Sequence, residues 1–176
     1  MIKSKQDYLK FLAEDKKQMK ITKNRPRPFT DEIWKFTRLM RKLEYVTNCK
    51  GTVYLPYKML LKIRYKQMSI KLGFTIPINC FDSGVSIAHY GMIIINPDCK
   101  IGKNCRIHCG TNIGGDPKQV PIIGDNCYIG PGAKLFGPIK IGENTKIGAN
   151  SVVNKSFADG NCTIAGVPAK IVSKAN

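Results

Sequence analysis

Ile95-Asn96-Pro97-Asp98-Cys99-Lys100-Ile101-Gly102-Lys103-Asn104-Cys105-Arg106-Ile107 places an isoleucine at every sixth position, with Cys99 and Cys105 each four residues after one. The register continues through Ile113 and, after one interruption, through Ile123, Ile129, Leu135, Ile141, Ile147 and Val153. Small residues recur in the cysteine position as Thr111, Cys127, Ala133, Thr145 and Ser151. Glycine often follows the aliphatic residue, as at Gly102, Gly114, Gly124, Gly130, Gly142 and Gly148. A period of six fits neither the 3.6-residue helix nor a simple alternating strand. It predicts a chain that turns a corner every six residues and stacks coil on coil around one aliphatic core, a mainly β, parallel β-helix.

The one break in register lies between Ile113 and Ile123, where four extra residues around Gly115-Asp116-Pro117-Lys118 must leave the coil as a loop. Loops on a rigid scaffold commonly carry recognition. Upstream of Phe74 the composition changes to Lys, Leu and Met, and the segment 1–73 reads as helical. A first helix falls within residues 1–20, with Tyr8, Leu9, Phe11 and Leu12 as its apolar side, and Arg25-Pro26-Arg27-Pro28 breaks it. Thr30 is placed to cap a second helix that starts with Asp31 and Glu32. Ile33, Trp34, Phe36, Leu39, Met40 and Leu43 recur along it at helical spacing. A third helix is expected from Pro56 to Leu72, ending at Gly73, with Met59, Leu60, Ile63, Met68 and Leu72 apolar among basic residues. Such a helix packs on its own domain or a neighbour, or lies on an anionic membrane surface.

The 176-residue chain carries 29 Lys and Arg against 12 Asp and Glu. Residues 1–72 hold 19 of those bases and 6 of the acids, so the basic excess belongs to the helical segment. Charge alone is compatible with an anionic lipid or a phosphorylated cofactor, and no nucleic-acid-binding motif accompanies it. No run of apolar residues is long enough to span a membrane, and Met1-Ile2-Lys3-Ser4-Lys5 does not open a secretory signal. The 7 cysteines form no CxxC pair, and three of them occupy the small-residue slot, where a thiol acts as a small hydrophobe. Together these features predict a cytoplasmic protein, with peripheral contact at the inner membrane face as the alternative location.

Two histidines are available, His89 and His108, and His89 falls six residues before Ile95, in an aliphatic slot. Their separation of 19 is close to the 18 residues of a three-sided coil, which puts them on successive coils near one corner. Imidazole is the natural general base near neutral pH.

Ala88-His89-Tyr90-Gly91-Met92-Ile93-Ile94-Ile95, the hexapeptides after it, Ile113-Gly114-Gly115 and the closing Ala165-Gly166-Val167-Pro168-Ala169-Lys170-Ile171-Val172 resemble the serine acetyltransferase branch of the left-handed β-helix acyltransferases. The resemblance covers residues 74–172, leaves 173–176 as a tail, and within the branch runs closest to O-acetyltransferases of polysaccharide pathways. It implies acetyl-CoA-dependent transfer to a hydroxyl, with His89 as the base, no metal, and a homotrimer whose neighbouring subunits hold CoA between them. The positions that match the CoA-binding part of the motif are Pro131, Ala149, Gly166, Val167 and Pro168, with Lys155 and Lys170 as phosphate partners.

The departures from the family pattern bear on the acceptor. Where the family carries a D-I-H-P motif, this chain has Phe74-Thr75-Ile76-Pro77, without its acid and histidine. Val120, before Pro121, stands where the family has a second active-site histidine. Asp82 is the candidate to orient His89, and His108 to take over part of the missing histidine's work. The expected acceptor is therefore a sugar hydroxyl in capsule, exopolysaccharide or lipopolysaccharide assembly, with L-serine as the alternative. A catalytically silent trimeric scaffold is the competing reading of another class. The ending Ser173-Lys174-Ala175-Asn176 lacks the family's terminal isoleucine, so a cysteine synthase partnership is not expected.

Overall fold

The computed structural model describes residues 1–23 and 25–174. Ala175 and Asn176, on which the reading of the chain's last residue depends, lie outside them. Among the described residues, three α-helices precede a coil of short strands stacked into three parallel sheets. One face is built from strands at residues 74–75, 93–95, 111–114, 134–136 and 152–153. The second stacks 100–101, 122–123 and 140–141, extended by single bridges at Phe81 and Phe157. The third stacks 86–87, 106–107, 128–129, 146–147 and 162–166. A last strand, Ala169–Lys174, folds back antiparallel on Cys162–Gly166, so the expected boundary at 172 falls inside a strand.

The core is the six-residue register made physical. Ile95, Ile113, Leu135 and Val153 stack beneath the first face, Ile101, Ile123 and Ile141 beneath the second, and Ile107, Ile129 and Ile147 beneath the third. All are buried, as are Cys99, Cys105, Thr111, Cys127, Ala133, Thr145 and Ser151 at the turns. Each full aliphatic burial contributes about 1.5–3 kcal/mol, so these columns supply most of the coil's cohesion. At Gly130 a side chain would meet the backbone of the next coil, 2.7 Å from the Ile147 carbonyl oxygen. At the corner between the second and third faces, Asn104, Asn126, Asn144 and Asn161 take positive φ, which asparagine tolerates better than other non-glycine residues. Their side chains are bonded in pairs, Asn104 to Asn126 at 3.1 Å and Asn144 to Asn161 at 2.8 Å.

The first coil departs from the register. Ile87 pairs with Ile107, a step of 20 residues, whereas Ile95 pairs with Ile113, a step of 18. Two additional residues therefore sit at the corner after Ile87. It is Ile87 that fills the aliphatic slot, and His89 is carried outward into the exposed bend, contrary to the expectation that it replaced a core residue.

Helix α1 spans Lys5–Gln18, α2 Glu32–Cys49 and α3 Leu55–Leu72, closed by Gly73 at φ 77°. The cap of α2 is Asp31 rather than Thr30, and Asp31 makes no side-chain cap because its carboxylate is bound by Arg27. Phe36, Met40 and Leu72 share one hydrophobic cluster with the coil, so the change at residue 73 is one of secondary structure and not of packing. Phe11 is buried while Leu9 is exposed. On α3 the residues turned inward are Leu61, Tyr65, Met68 and Leu72, whereas Met59, Leu60 and Ile63 of the expected apolar face are exposed. No helix among the described residues is long and apolar enough to cross a membrane.

The first coil has no coil before it to satisfy its backbone, and a buried ionic cluster does so instead. Arg41 pairs with Asp15 at 2.8 Å and Glu44 at 2.9 Å, all three fully or almost fully buried. Asp15 accepts from the Gly84 and Val85 N–H groups, and Glu44 from that of Asn79. Arg41 donates to the carbonyls of Phe81 and Asp82. The helices thus close the open end of the coil through five otherwise orphaned backbone groups.

Candidate active site

The corner between the third and first faces collects most of the residues singled out from sequence. Ala88, His108, Gly130 and Gly148 each donate their N–H to the carbonyl of the slot residue one coil on, which places them in one column. The residues one step further along the chain, His89, Cys109, Pro131 and Ala149, together with Gly166, two residues after Ile164, form a second column beside it. Of these Cys109 is half-buried and the other four are exposed. The strip below the histidines therefore carries only small side chains, and in the column beside it a Cβ added at Gly130 or Gly148 would come within 2.7 Å or 2.9 Å of the next coil. Val167 and Pro168 make the exposed turn at its far end, and Lys170 pairs across that hairpin with Ala165.

At the head of the column the rings of His89 and His108 lie 6.0 Å apart, and His108 lies 5.1 Å from Tyr128. Arg106 Nε–H donates to His108 Nε2 at 3.3 Å, and one of its terminal N–H groups donates to Ser86 Oγ at 3.2 Å. With the Nε2 lone pair occupied, this assigns the proton of the neutral His108 ring to Nδ1, so the ring offers a donor rather than a base. Burial, the Arg106 charge and the neighbouring His89 hold the His108 pKa below its ordinary value. His89 is the exposed imidazole of the pair.

The depressed pKa has a measurable consequence. The unfolded chain binds a proton at His108 at a pH where the folded protein does not, so stability falls as pH drops below the ordinary value of 6.5. The His108→Gln variant should therefore lose less Tm than the wild type between pH 7.5 and 5. Parallel Tm–pH curves would show that His108 is not held in this way.

Two candidates are not brought to the column. Asp82 lies at the preceding corner, a full face from His89, where its carboxylate accepts from the Ser83 N–H at 2.7 Å, so it does not orient the base. Lys155 follows Val153 at the corner between the first and second faces, its ammonium 5.6 Å from the Phe157 ring centre. The loop at residues 115–121 leaves the coil at that same corner, with Val120 buried. Within one chain, then, Lys155 and the loop stand across the first face from His89. Sequence reasoning missed Arg106, Tyr128 and Ser86. They sit on the outward side of their strands, where a repeat read for its core carries no signal. No group of three or more potential metal ligands is assembled among the described residues.

Residues 121–155 match the family described as bacterial transferase hexapeptide (six repeats). The serine acetyltransferase of Synechococcus elongatus is 37% identical over 93 residues, covering 51% of this chain and 38% of that protein. That of Staphylococcus aureus is 43% identical over 90 residues, covering 48% and 42%. The chain thus spans about two fifths of the length of these curated relatives. A crystal structure of serine acetyltransferase from Brucella abortus superimposes with a TM-score of 0.75 at 24% identity, covering 98% of this chain and 71% of that one. A second, of the same enzyme in complex with coenzyme A, also gives 0.75, at 23% identity and with 98% and 70% covered. Repeat and fold together show a left-handed β-helix of hexapeptide repeats, similar over residues 121–155 to the bacterial transferase hexapeptide family and over about half of the chain to serine acetyltransferases.

Proposed function

We propose that this protein is an acetyl-CoA-dependent O-acetyltransferase with His89 as its general base. The observation that carries the reading is the column itself: an exposed histidine heads a strip of small residues that leaves backbone open to a thin, extended ligand. The Brucella abortus relative binds coenzyme A, which supports assigning that strip to the pantetheine arm. His89 removes the proton of the acceptor hydroxyl as its oxygen attacks the thioester carbonyl. The tetrahedral oxyanion then collapses, the C–S bond breaks, and the sulfur leaves as thiolate and takes up a proton. His108, as an Nδ1–H donor, is placed to hold the acceptor or the developing charge.

The separation of Lys155 and the 115–121 loop from His89 by one face suits a groove shared between copies, one supplying the histidine corner and its neighbour the loop corner. That supports the homotrimer implied by the family resemblance. For the acceptor, the relatives support L-serine over the sugar hydroxyl expected from sequence. A neutral sugar stays as the second reading on two substitutions, Phe74 and Val120, at positions where the family has an acid and a histidine.

CoA release from acetyl-CoA, followed with a thiol reagent, tests this directly. Release that depends on L-serine and not on neutral hexoses is expected. Release with hexoses alone would move the assignment to the second reading. Tight acetyl-CoA binding without turnover of any hydroxyl compound would overturn the enzyme in favour of a silent scaffold.

A further inference from the structure

We propose that the outward face of α3, with the turn before it, docks on an anionic lipid bilayer. Such docking is independent of the acetyl-transfer reading. The core-facing side of α3 is set by Leu61, Tyr65, Met68 and Leu72. At 3.6 residues per turn, Met59, Ile63 and Ile70 recur at intervals of four and seven on the opposite side. A helix of a globular protein ordinarily carries its charges there. Instead Ile63 and Ile70 are 54% and 69% exposed, and Val53, in the turn Thr52–Tyr54 before the helix, is 89% exposed.

Single exposed apolar residues are normal, but these are not scattered. Eight of the nineteen exposed large hydrophobic residues lie between Val53 and Ile70. A concentration of this kind marks a contact surface.

The charges around the stripe select its occupant. No Asp or Glu occurs between Glu44 and Asp82, whereas six Lys and Arg do. By the same helical spacing, Lys62 and Lys66 flank the stripe on one side and Arg64 and Lys71 on the other, all four exposed. Among the described residues, only Lys71 of these four enters an ion pair, with Glu32 at 3.8 Å. A second copy of the chain laid on this face would set bases against bases, which opposes self-association. An anionic bilayer accepts both components at once: the flanking bases meet its headgroups, and the central side chains leave water. Tyr54 and Tyr57 are exposed at the same end, each with an apolar ring and a polar hydroxyl suited to headgroup depth. Helix α3 is not long and apolar enough to cross the bilayer, so it lies in the interface.

Sedimentation of the full chain with phosphatidylcholine vesicles, with and without phosphatidylglycerol, tests the proposal. Binding to the mixed vesicles that weakens as salt rises is expected, and none to phosphatidylcholine alone. Lys62→Gln with Lys66→Gln should weaken it about tenfold or more, since each base near an anionic surface is worth roughly fivefold. Lys100→Gln with Lys140→Gln removes the same charge from the second face of the coil and should leave binding unchanged. Ile63→Gln with Ile70→Gln should weaken binding several-fold at an unchanged salt dependence, a loss that attraction of net charge does not predict. All six positions are exposed, so each variant should keep its Tm. An equal loss from the Lys100 and Lys140 pair, no effect of the isoleucine pair, or no binding to either vesicle would overturn the proposal. In the last case, a smaller oligomer for the isoleucine pair in the ultracentrifuge would give the face to a second copy instead.

Discussion

His89→Ala should lower kcat for acetyl transfer by about 10²–10⁴-fold, the usual cost of removing a general base. The variant should keep its affinity for CoA and a near-wild-type Tm, because His89 projects into solvent from the extra residues of the first coil and supports no core contact. The structural details make this sharper than the resemblance alone. His108 cannot simply replace it, since its Nε2 lone pair is held by Arg106 and its pKa is depressed. Parallel measurement of kcat, acetyl-CoA KM and Tm checks the claim. An unchanged kcat would mean that the base lies elsewhere, and a collapse of Tm would mean that His89 is structural.

Arg41→Met should destabilise the fold by about 3–5 kcal/mol, because it leaves Asp15 and Glu44 buried without a counter-charge. For a chain of this size that corresponds to a fall of roughly 6–20 °C in Tm. The guanidinium is buried, which opposes its charge, yet Asp15 and Glu44 outweigh that and hold its pKa above the ordinary arginine value. The loss should be local at first, since Arg41 and Asp15 together bind four backbone groups of the first coil. Hydrogen exchange should accelerate at Gly84 and Val85 before it does at Ile129 or Ile147. The exposed Arg27–Asp31 pair is the control, and Arg27→Ala should hardly move Tm. A loss for Arg41→Met no greater than for Arg27→Ala would refute the capping role.

The six-residue period was enough to recover the coil and every aliphatic column from Ile95 to Val153, because a stacked core imposes one requirement at each level. It failed at the first coil. There the period points to His89, whereas two extra residues at the corner leave Ile87 as the core residue. The Asn-Cys and Asn-Thr pairs at Asn104, Asn126, Asn144 and Asn161 were a readable signal of left-handed turns that the aliphatic register obscured. The Asp15–Arg41–Glu44 cluster had no such signal. Its members lie on two helices and meet the coil 40 residues on from Arg41 and 69 on from Asp15, so each reads as one more charge on a basic surface.

The candidate site was legible where it repeats and illegible where it does not. Pro131, Ala149 and Gly166 share the histidine corner because each follows a slot of the same face by two residues. Asp82 and Lys155 are not legible in this way, because in a coil of this kind six residues are a whole face of the prism and both fall at other corners.

The column's role as the CoA strip is best tested at Cys109, which lies between His89 and Pro131 and is half-exposed, as is Cys49 on α2, while the other five thiols are buried. Alkylation by iodoacetamide, followed peptide by peptide by mass spectrometry with and without CoA, reads that position directly. Bound CoA should slow modification of Cys109 several-fold and leave Cys49 unaffected. Equal rates at Cys109 in the two conditions would contradict the account.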